Sequence, residues 1–169
     1  WSSDVCSSDL DASMVFSSLP MPQGRRVAIM TFGGGWGVVT SDLCSDRNLL
    51  VEPLNDEIIA VLDGMLPPYW SRTNPVDLVG ENDLELPMKA IEVLAAWDGC
   101  DAVIHLGISG REYLLETLLE SVSAVDTETD TKASQQILQG LHKWEHHYIR
   151  HTVQLMERYR KPILGVTLT

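Results

Sequence analysis

The chain is constrained most by residues 33–37, which read Gly-Gly-Gly-Trp-Gly and place four glycines in five positions. The apolar run Arg26–Thr31 before them is typical of a strand that is buried on both faces of a sheet. A helix is predicted to follow over Trp36–Asp46. A strand, a glycine-rich loop and a helix N-terminus in this order direct free backbone N–H groups and the positive end of the helix dipole toward an anion. We therefore predict a phosphate-binding site at Gly33, Gly34, Gly35, Trp36 and Gly37.

Strands and helices alternate along the rest of the chain. The sequence predicts further strands at Leu49–Leu54, Ala102–Leu106 and Pro162–Thr167, helices that start after Asn55 and at Asp83, helices at Glu112–Val122 and Lys132–Tyr159, and a polar break at Asp126–Thr131. Such alternation indicates a parallel sheet with right-handed crossovers. We interpret the chain as an α/β, flavodoxin-like three-layer sandwich that is truncated at its C-terminus. In strand order 2-1-3, the ligand crevice lies beyond the carboxyl ends of strands one and three.

A second glycine-bearing loop, Gly107–Arg111, follows the third predicted strand. The predicted strand order places it opposite the first loop, across the crevice. Arg111 at the start of the next helix is interpreted either as a phosphate ligand or as a solvated surface arginine, and the sequence leaves both open.

The segment Asn74-Pro75-Val76-Asp77 lies in a long predicted loop, Tyr69–Asn82. A long loop in a compact domain is often functional. X-Pro segments are more often architectural, and Asp77 can cap local N–H groups in a rigid turn. The roles of Asn74 and Asp77 therefore stay open.

The N-terminal 24 residues are predicted to lie outside the folded module. Residues 1–10 resemble the translation of a sequencing adapter and contain no initiator Met. Residues 11–24 carry Pro20 and Pro22 and are interpreted as a linker or as the tail of a helix. Residues 25–169 are then an incomplete module that is cut at both ends.

Composition and net charge limit the kinds of partner and setting that fit this chain. The formal net charge of −12 argues against nucleic acid and anionic membranes as partners. The sequence has no run of about 18 apolar residues, so no membrane span is predicted. Its cysteines show neither a metal-binding spacing nor a disulfide pattern, which favours a reducing, cytoplasmic setting.

The histidines do not predict a catalytic or metal site. His142, His146, His147 and His151 pair at a spacing of four, but no Glu lies between them and the two pairs point in different directions. His105 is interpreted as a packed strand residue rather than an acid–base group. Ser109 has no predictable histidine partner. We predict no metal and no catalytic residue in this chain.

Two other phosphate-binding classes fit less well. A strict G-x-G-x-x-G motif is absent, although Glu52 at the end of the second predicted strand could act as the ribose-binding acid of a dinucleotide fold. A flavin-phosphate loop needs several hydroxyl groups, and Thr31 is the only one within the turn.

Several short motifs together resemble the NDP-forming acyl-CoA synthetases, that is, the ADP-forming acetate–CoA ligases and their succinyl-CoA-ligase-like relatives. The motifs are Gly24–Thr31, the triple glycine, Gly37-Val38, Asp42, Leu66-Pro67-Pro68 and Asn74–Leu78. The match resembles the second flavodoxin-like module of these enzymes and covers about Pro20 to Leu106. The family often has Pro at the position of Trp36.

This resemblance implies a reaction and a set of partners. The family makes acyl-CoA from an acid, CoA and a nucleoside triphosphate, through an acyl phosphate and a phosphohistidine. Gly33, Gly34, Gly35 and Gly37 would form this module's half of a phosphoryl cradle. The CoA-binding, phosphohistidine-bearing and ATP-grasp modules or subunit would be partners and would use ATP or ADP, Mg²⁺ and CoA. The module alone would bind no cofactor and be inactive.

Two alternatives to this function remain from the sequence. One is a non-catalytic or regulatory ligase-like module fused to an acyltransferase. The other is a nucleotide- or flavin-binding flavodoxin-like domain.

Overall fold

The sheet consists of four parallel strands within the residues that the computed structural model describes, 7–80, 83–123 and 131–167. The strands are β1 (Val27–Thr31), β2 (Val76–Asp77), β3 (Ala102–Leu106) and β4 (Ile163–Val166), in the order β2-β1-β3-β4. In register, Ile29 lies opposite Ile104, and Thr31 lies opposite both Asp77 and Leu106. The expected flavodoxin-like α/β fold with a parallel sheet is confirmed.

The helices cover the two faces of this sheet. They are α1 (Ser7–Ser18), α2 (Gly34–Asp46), α3 (Asp56–Asp63), α4 (Leu86–Ala96), α5 (Arg111–Ser123) and α6 (Thr131–Tyr159). Alternate residues of β1 point to opposite faces, as strand geometry requires. Met30 packs in a core with α3, α4 and α6, whereas Ile29 packs with Cys44 of α2. No helix in the described part of the chain has an apolar stretch long enough to cross a membrane.

Local sequence signals account for several element boundaries. The Oδ1 atom of Asn55 accepts the N–H of Ile58 at 3.0 Å, so Asn55 is the predicted N-cap of α3. The predicted strands at Arg26–Thr31, Ala102–Leu106 and Pro162–Thr167 are confirmed to within one residue at either end. The polar break predicted at Asp126–Thr131 falls outside the described residues except for Thr131, where α6 begins.

The predicted strand at Leu49–Leu54 is wrong. Within this segment only Leu50 pairs with the sheet, in an isolated parallel bridge to Arg26. The carboxyl half of the same edge of β1 is taken by β2, which lies in the predicted loop Tyr69–Asn82. Pro53 has no N–H to donate, which prevents a continuous ladder along this segment.

A side chain replaces the missing backbone ladder. Asn74 is buried and donates from Nδ2 to the carbonyl oxygens of Val27 and Glu52, at 2.8 and 3.0 Å. Its Oδ1 accepts the N–H of Ile29 at 2.9 Å. The amide of Asn74 thus joins the Glu52 segment to β1 and satisfies backbone groups that would otherwise be buried without partners.

The N-terminal region is helical where a linker was an expected alternative. Helix α1 spans Ser7–Ser18, so it includes the end of the region 1–10 and most of the region 11–24. The two prolines that suggested a linker lie beyond its last residue. Leu10, Met14 and Phe16 of α1 are exposed, so these apolar residues do not form the buried stripe by which an amphipathic helix is recognised in a sequence.

Candidate functional site

The Gly33–Gly37 loop lies at the carboxyl end of β1 and opens α2, as predicted. Gly33 is the N-cap residue, with φ −158° and ψ 130°. The N–H of Gly33 donates to Oγ1 of Thr31 at 3.2 Å, and that hydroxyl donates to the carbonyl of Gly33 at 2.8 Å. This reciprocal pair ties the first residue of the loop to the end of a fully buried strand and fixes its backbone.

The N-terminus of α2 is open. No side chain caps it, and within the described ranges no hydrogen bond occupies the N–H of Gly34 or Gly35. Residues 33–36 are exposed to solvent, whereas Gly37 is buried. Two backbone donors at the positive end of a helix dipole therefore face solvent at the edge of the sheet where ligands bind in this fold class.

The glycines of this loop differ in whether packing leaves room for a side chain at their positions. A Cβ on Gly37 would lie 3.0 Å from Cβ of Pro75 and 3.1 Å from Cγ2 of Thr31, so close packing excludes a side chain there. A Cβ on Gly33 or Gly35 would meet nothing within 4 Å, and neither residue has a positive φ. Packing and backbone conformation therefore explain Gly37, but they do not explain Gly33 or Gly35.

Arg111 contacts the aromatic side chain of Phe32, which comes directly before this loop. Its guanidinium carbon is 4.6 Å from the ring centroid of Phe32, the residue that precedes Gly33. The N–H of Phe32 donates to the carbonyl of Leu106 at 3.3 Å, which joins the ends of β1 and β3. The fold therefore places the guanidinium of Arg111 over the side chain of the residue that precedes the glycine loop.

The second glycine loop is closed by the protein itself. Gly107 and Gly110 have φ values of 67° and 82°, so both adopt the left-handed conformation that favours glycine. The carboxylate of Glu145, a buried residue of α6, accepts the N–H of Gly110 at 3.3 Å and the N–H of Glu112 at 3.1 Å. An internal anion thus occupies the N-terminus of α5.

The Asn74–Asp77 segment contributes differently at its two ends. Asn74 has the structural role described above and does not face the crevice. Oδ1 of Asp77 accepts the N–H of Val79 at 2.8 Å, as the turn interpretation expects. Its Oδ2 lies 2.9 Å from the point that a Cβ on Gly34 would occupy. The Asp77 carboxylate therefore adjoins the glycine loop, where it excludes a side chain at Gly34.

Sequence reasoning missed Phe32 and Glu145. Phe32 was part of no motif, because its importance comes only from its contact with Arg111. Glu145 had a signal, since it lies beside Trp144 and one helical turn after Leu141, among the apolar residues of the helix predicted at Lys132–Tyr159. A carboxylate at such a position is buried only when it has partners.

His105 is confirmed as a packed strand residue. It is buried in β3 with its ring 5.3 Å from that of Tyr148, and its Nδ1 has no hydrogen-bond partner in the described structure. Burial lowers the pKa of His105 from 6.5 to about 4. The imidazole is therefore neutral near pH 7 and lies below the crevice rather than in it.

The histidines of α6 have different partners, although the rings of His142 and His146 contact each other with their centroids 4.5 Å apart. Nδ1 of His142 lies 2.9 Å from Oε2 of Glu112, and Nε2 of His151 lies 3.3 Å from the carbonyl of Met88. Within the described residues, no three His, Cys, Asp or Glu side chains are grouped in a way that could hold a metal ion. Glu52 lines a cavity with Arg26, which precedes β1, so it lies at the opposite end of the strands from Gly33.

The fold and the site together define a flavodoxin-like α/β module with an open, glycine-rich helix N-terminus at the ligand-binding edge of its sheet. Over 60 residues the chain is 45% identical to the alpha subunit of ADP-forming acetate–CoA ligase II from Pyrococcus furiosus. Over 72 residues it is 35% identical to the ADP-forming acetate–CoA ligase of Methanocaldococcus jannaschii. The resemblance to this ligase family, expected from the sequence, is confirmed.

The matched regions are short relative to the whole enzymes. They cover 36% and 43% of this chain but only 13% and 10% of the two relatives. The dinucleotide forming acetyl-coenzyme A synthetase 1 of Candidatus Korarchaeum cryptofilum has a similar fold, with a TM-score of 0.56 and 20% identity over 72% of this chain and 27% of that chain. No family model matches the chain.

Proposed function

We propose that the chain is a module of an NDP-forming acyl-CoA ligase and that the N-terminus of α2 holds the phosphoryl group during transfer. The similarity to ADP-forming acetate–CoA ligases supports the reaction class. At the site, the observation that carries the proposal is the open space around Gly33 and Gly35. Glycine at positions that neither packing nor backbone conformation requires is accounted for by a ligand that approaches the main chain closely.

The chemistry assigned to this module is electrostatic. A phosphoryl group in transfer spreads negative charge over its oxygens, and donors that are already oriented stabilise that charge without reorganising. The N–H groups of Gly34 and Gly35 are such donors, because the hydrogen bonds between Thr31 and Gly33 fix the start of the loop. Arg111 adds a cation beside the same loop.

Other parts of the ligase perform the covalent steps in this proposal. The phosphorylated histidine, the nucleotide site and the CoA site belong to partner modules or to a partner subunit, where ATP or ADP, Mg²⁺ and CoA would bind. The described residues of this chain then supply half of the cradle into which the phosphohistidine moves. We expect no acid- and CoA-dependent nucleotide turnover by the chain alone.

The proposal is tested by titrating the chain with inorganic phosphate at constant ionic strength while recording its backbone amide NMR signals. The N–H signals of Gly34 and Gly35 should shift in a saturable way. The signals of Gly110 and Glu112 serve as an internal control, because the Glu145 carboxylate already occupies those N–H groups. Equal shifts in both loops, or no saturable shift at Gly34 and Gly35, would contradict the proposal.

A further inference from the structure

We infer that Glu145 is a positioning residue that holds Arg111 beside the Gly33–Gly37 loop, and that Arg111 adds its guanidinium donors to the backbone donors of that loop. The inference rests on the proposed function, because it concerns the same phosphoryl site. It assigns α6, which lies outside the glycine motifs, a part in building the site.

Glu145 fixes the backbone on both sides of Arg111. One carboxylate oxygen accepts the N–H of Gly110 and the other accepts the N–H of Glu112. Glu145 is only 9% exposed, so its carboxylate is held by these bonds rather than by water. Because the two residues that flank Arg111 are anchored to α6, the direction in which the Arg111 side chain leaves the backbone is also set.

The Arg111 side chain is held at its far end by Phe32. A guanidinium over an aromatic face keeps its N–H groups at the edge of its plane, where they can donate to oxygen atoms. Within the described residues Arg111 makes no ion pair, and the Glu145 carboxylate is bonded to backbone N–H groups. The guanidinium therefore keeps donors for an anion at the adjacent loop.

The hydrogen bonds of two acidic side chains also separate the roles of the two loops. Asp77 adjoins Gly34 but accepts the N–H of Val79, whereas Glu145 accepts N–H groups at the start of α5. The Glu145 carboxylate compensates the positive end of the α5 dipole, so that helix end has little attraction left for a second anion. Recognition from this side of the crevice then depends on the Arg111 side chain, which binds phosphate oxygens in a geometry that a lysine does not reproduce.

The positioning step is tested without any ligand. The aromatic ring of Phe32 should shift the NMR signals of the Arg111 side-chain protons away from their free values. Glu145→Gln should reduce this ring-current shift, because the amide group offers one acceptor oxygen where the carboxylate offers two. Glu157→Gln, an exposed change on the same helix, should leave it unaltered. If Glu145→Gln fails to fold, the same NMR measurement is made on Glu145→Asp.

The functional step is tested by phosphate titration followed at Gly35. Arg111→Ala should weaken phosphate binding by about tenfold or more, as expected for the loss of hydrogen bonds to a charged group. Arg158→Ala is the matched control, because Arg158 also stacks on an aromatic ring, that of Tyr159 at 5.2 Å. It should change the affinity by less than about twofold, as expected for a surface substitution away from the site.

A double-mutant cycle decides whether Glu145 acts through Arg111. Glu145→Gln should weaken phosphate binding when Arg111 is present and have no effect on affinity in the Arg111→Ala background. An equal effect in both backgrounds, or an unchanged affinity in Arg111→Ala, would overturn the inference while leaving the proposed function intact. If phosphate does not shift the Gly34 and Gly35 signals of the unaltered chain, the proposed function itself fails.

Discussion

The two glycine loops at the carboxyl edge of the sheet look alike in sequence and differ in structure. Gly33–Gly37 opens a helix in which the N–H groups of Gly34 and Gly35 are free within the described structure, and a Cβ added to Gly33 or Gly35 would meet nothing within 4 Å. Gly107–Arg111 opens a helix whose first N–H groups are bonded to Glu145, and its glycines are explained by positive φ angles. A glycine after a strand therefore indicates a binding site only when the fold itself does not account for it.

The largest expected effect is a pH dependence of stability that arises in β3, the strand before the Gly107–Arg111 loop. β1 carries no titratable side chain, whereas β3 carries buried His105, whose pKa is lowered from 6.5 to about 4. The unfolded chain binds a proton at higher pH than the folded chain does, so stability should fall as pH decreases from 6.5 toward 4. At about 1.4 kcal/mol per pKa unit, the full loss approaches about 3 kcal/mol.

Urea unfolding at a series of pH values measures this effect. Comparison with His105→Leu, which removes the titrating group, isolates the contribution of His105 from that of the carboxylates. If both proteins lose the same stability between pH 6.5 and pH 4, then His105 is not the buried neutral base that the structure describes.

The next effect tests whether Glu145 closes the second loop. Glu145→Ala leaves the N–H groups of Gly110 and Glu112 without their buried acceptor, and we expect a loss of about 2 to 3 kcal/mol in the free energy of unfolding. Glu157→Ala, on the exposed side of the same helix, should change stability by less than about 0.5 kcal/mol. Chemical denaturation of both variants makes the measurement, and equal stabilities would show that loop 107–111 does not depend on Glu145.

A smaller loss of stability should distinguish Gly37 from the other glycines of the Gly33–Gly37 loop. Gly37→Ala should destabilise the fold by about 1 kcal/mol, because its methyl group would be forced against Pro75 and Thr31 while part of that cost is offset by better helix propensity. Thermal or urea unfolding measures it. A stabilised Gly37→Ala protein would mean that α2 does not pack closely on the Pro75 turn.

The smallest expected effect is an increase in stability rather than a loss. Gly35→Ala adds a methyl group in open space within the first turn of α2, so we expect the free energy of unfolding to rise by about 0.5 kcal/mol. The same variant should bind phosphate more weakly than the unaltered chain. A destabilised Gly35→Ala protein would indicate that Gly35 serves the fold and would remove the contrast with Gly37.

Sequence reasoning recovered the elements whose signals are local. The buried strand before Gly33, the Asn55 cap and the long helix ending at Tyr159 all follow from adjacent residues, and the structure has them where they were predicted. The strand expected at Leu49–Leu54 does not form, because Pro53 cannot donate to a ladder and the Glu52 carbonyl is bonded instead by the side chain of Asn74, which is distant in sequence. No periodicity within the segment could indicate that.

The site was predicted only in part, because one of its contacts joins residues that are distant in sequence. The positions of Gly33–Gly37 and Arg111 follow from strand order 2-1-3 of the flavodoxin-like fold, and alternating strands and helices predict that fold class. The closure of the second loop depends on Glu145 of α6, separated from Gly110 by a helix and a polar break. The sequence thus predicts that both loops lie at one edge, but it does not predict which helix end stays open.

The central claim is that the open N-terminus of α2 stabilises a phosphoryl group in transfer. Its most direct test is Gly35→Val in a complete ADP-forming acyl-CoA ligase that contains this module, with phosphohistidine formation from acyl-CoA and phosphate as the measurement. A Cβ at Gly35 would meet nothing within 4 Å, so we expect the variant to fold, while its side chain keeps oxygens away from the backbone donors. We expect the rate to fall by about a hundredfold or more, with CoA affinity little changed. A folded variant that phosphorylates its histidine at the normal rate would contradict the account.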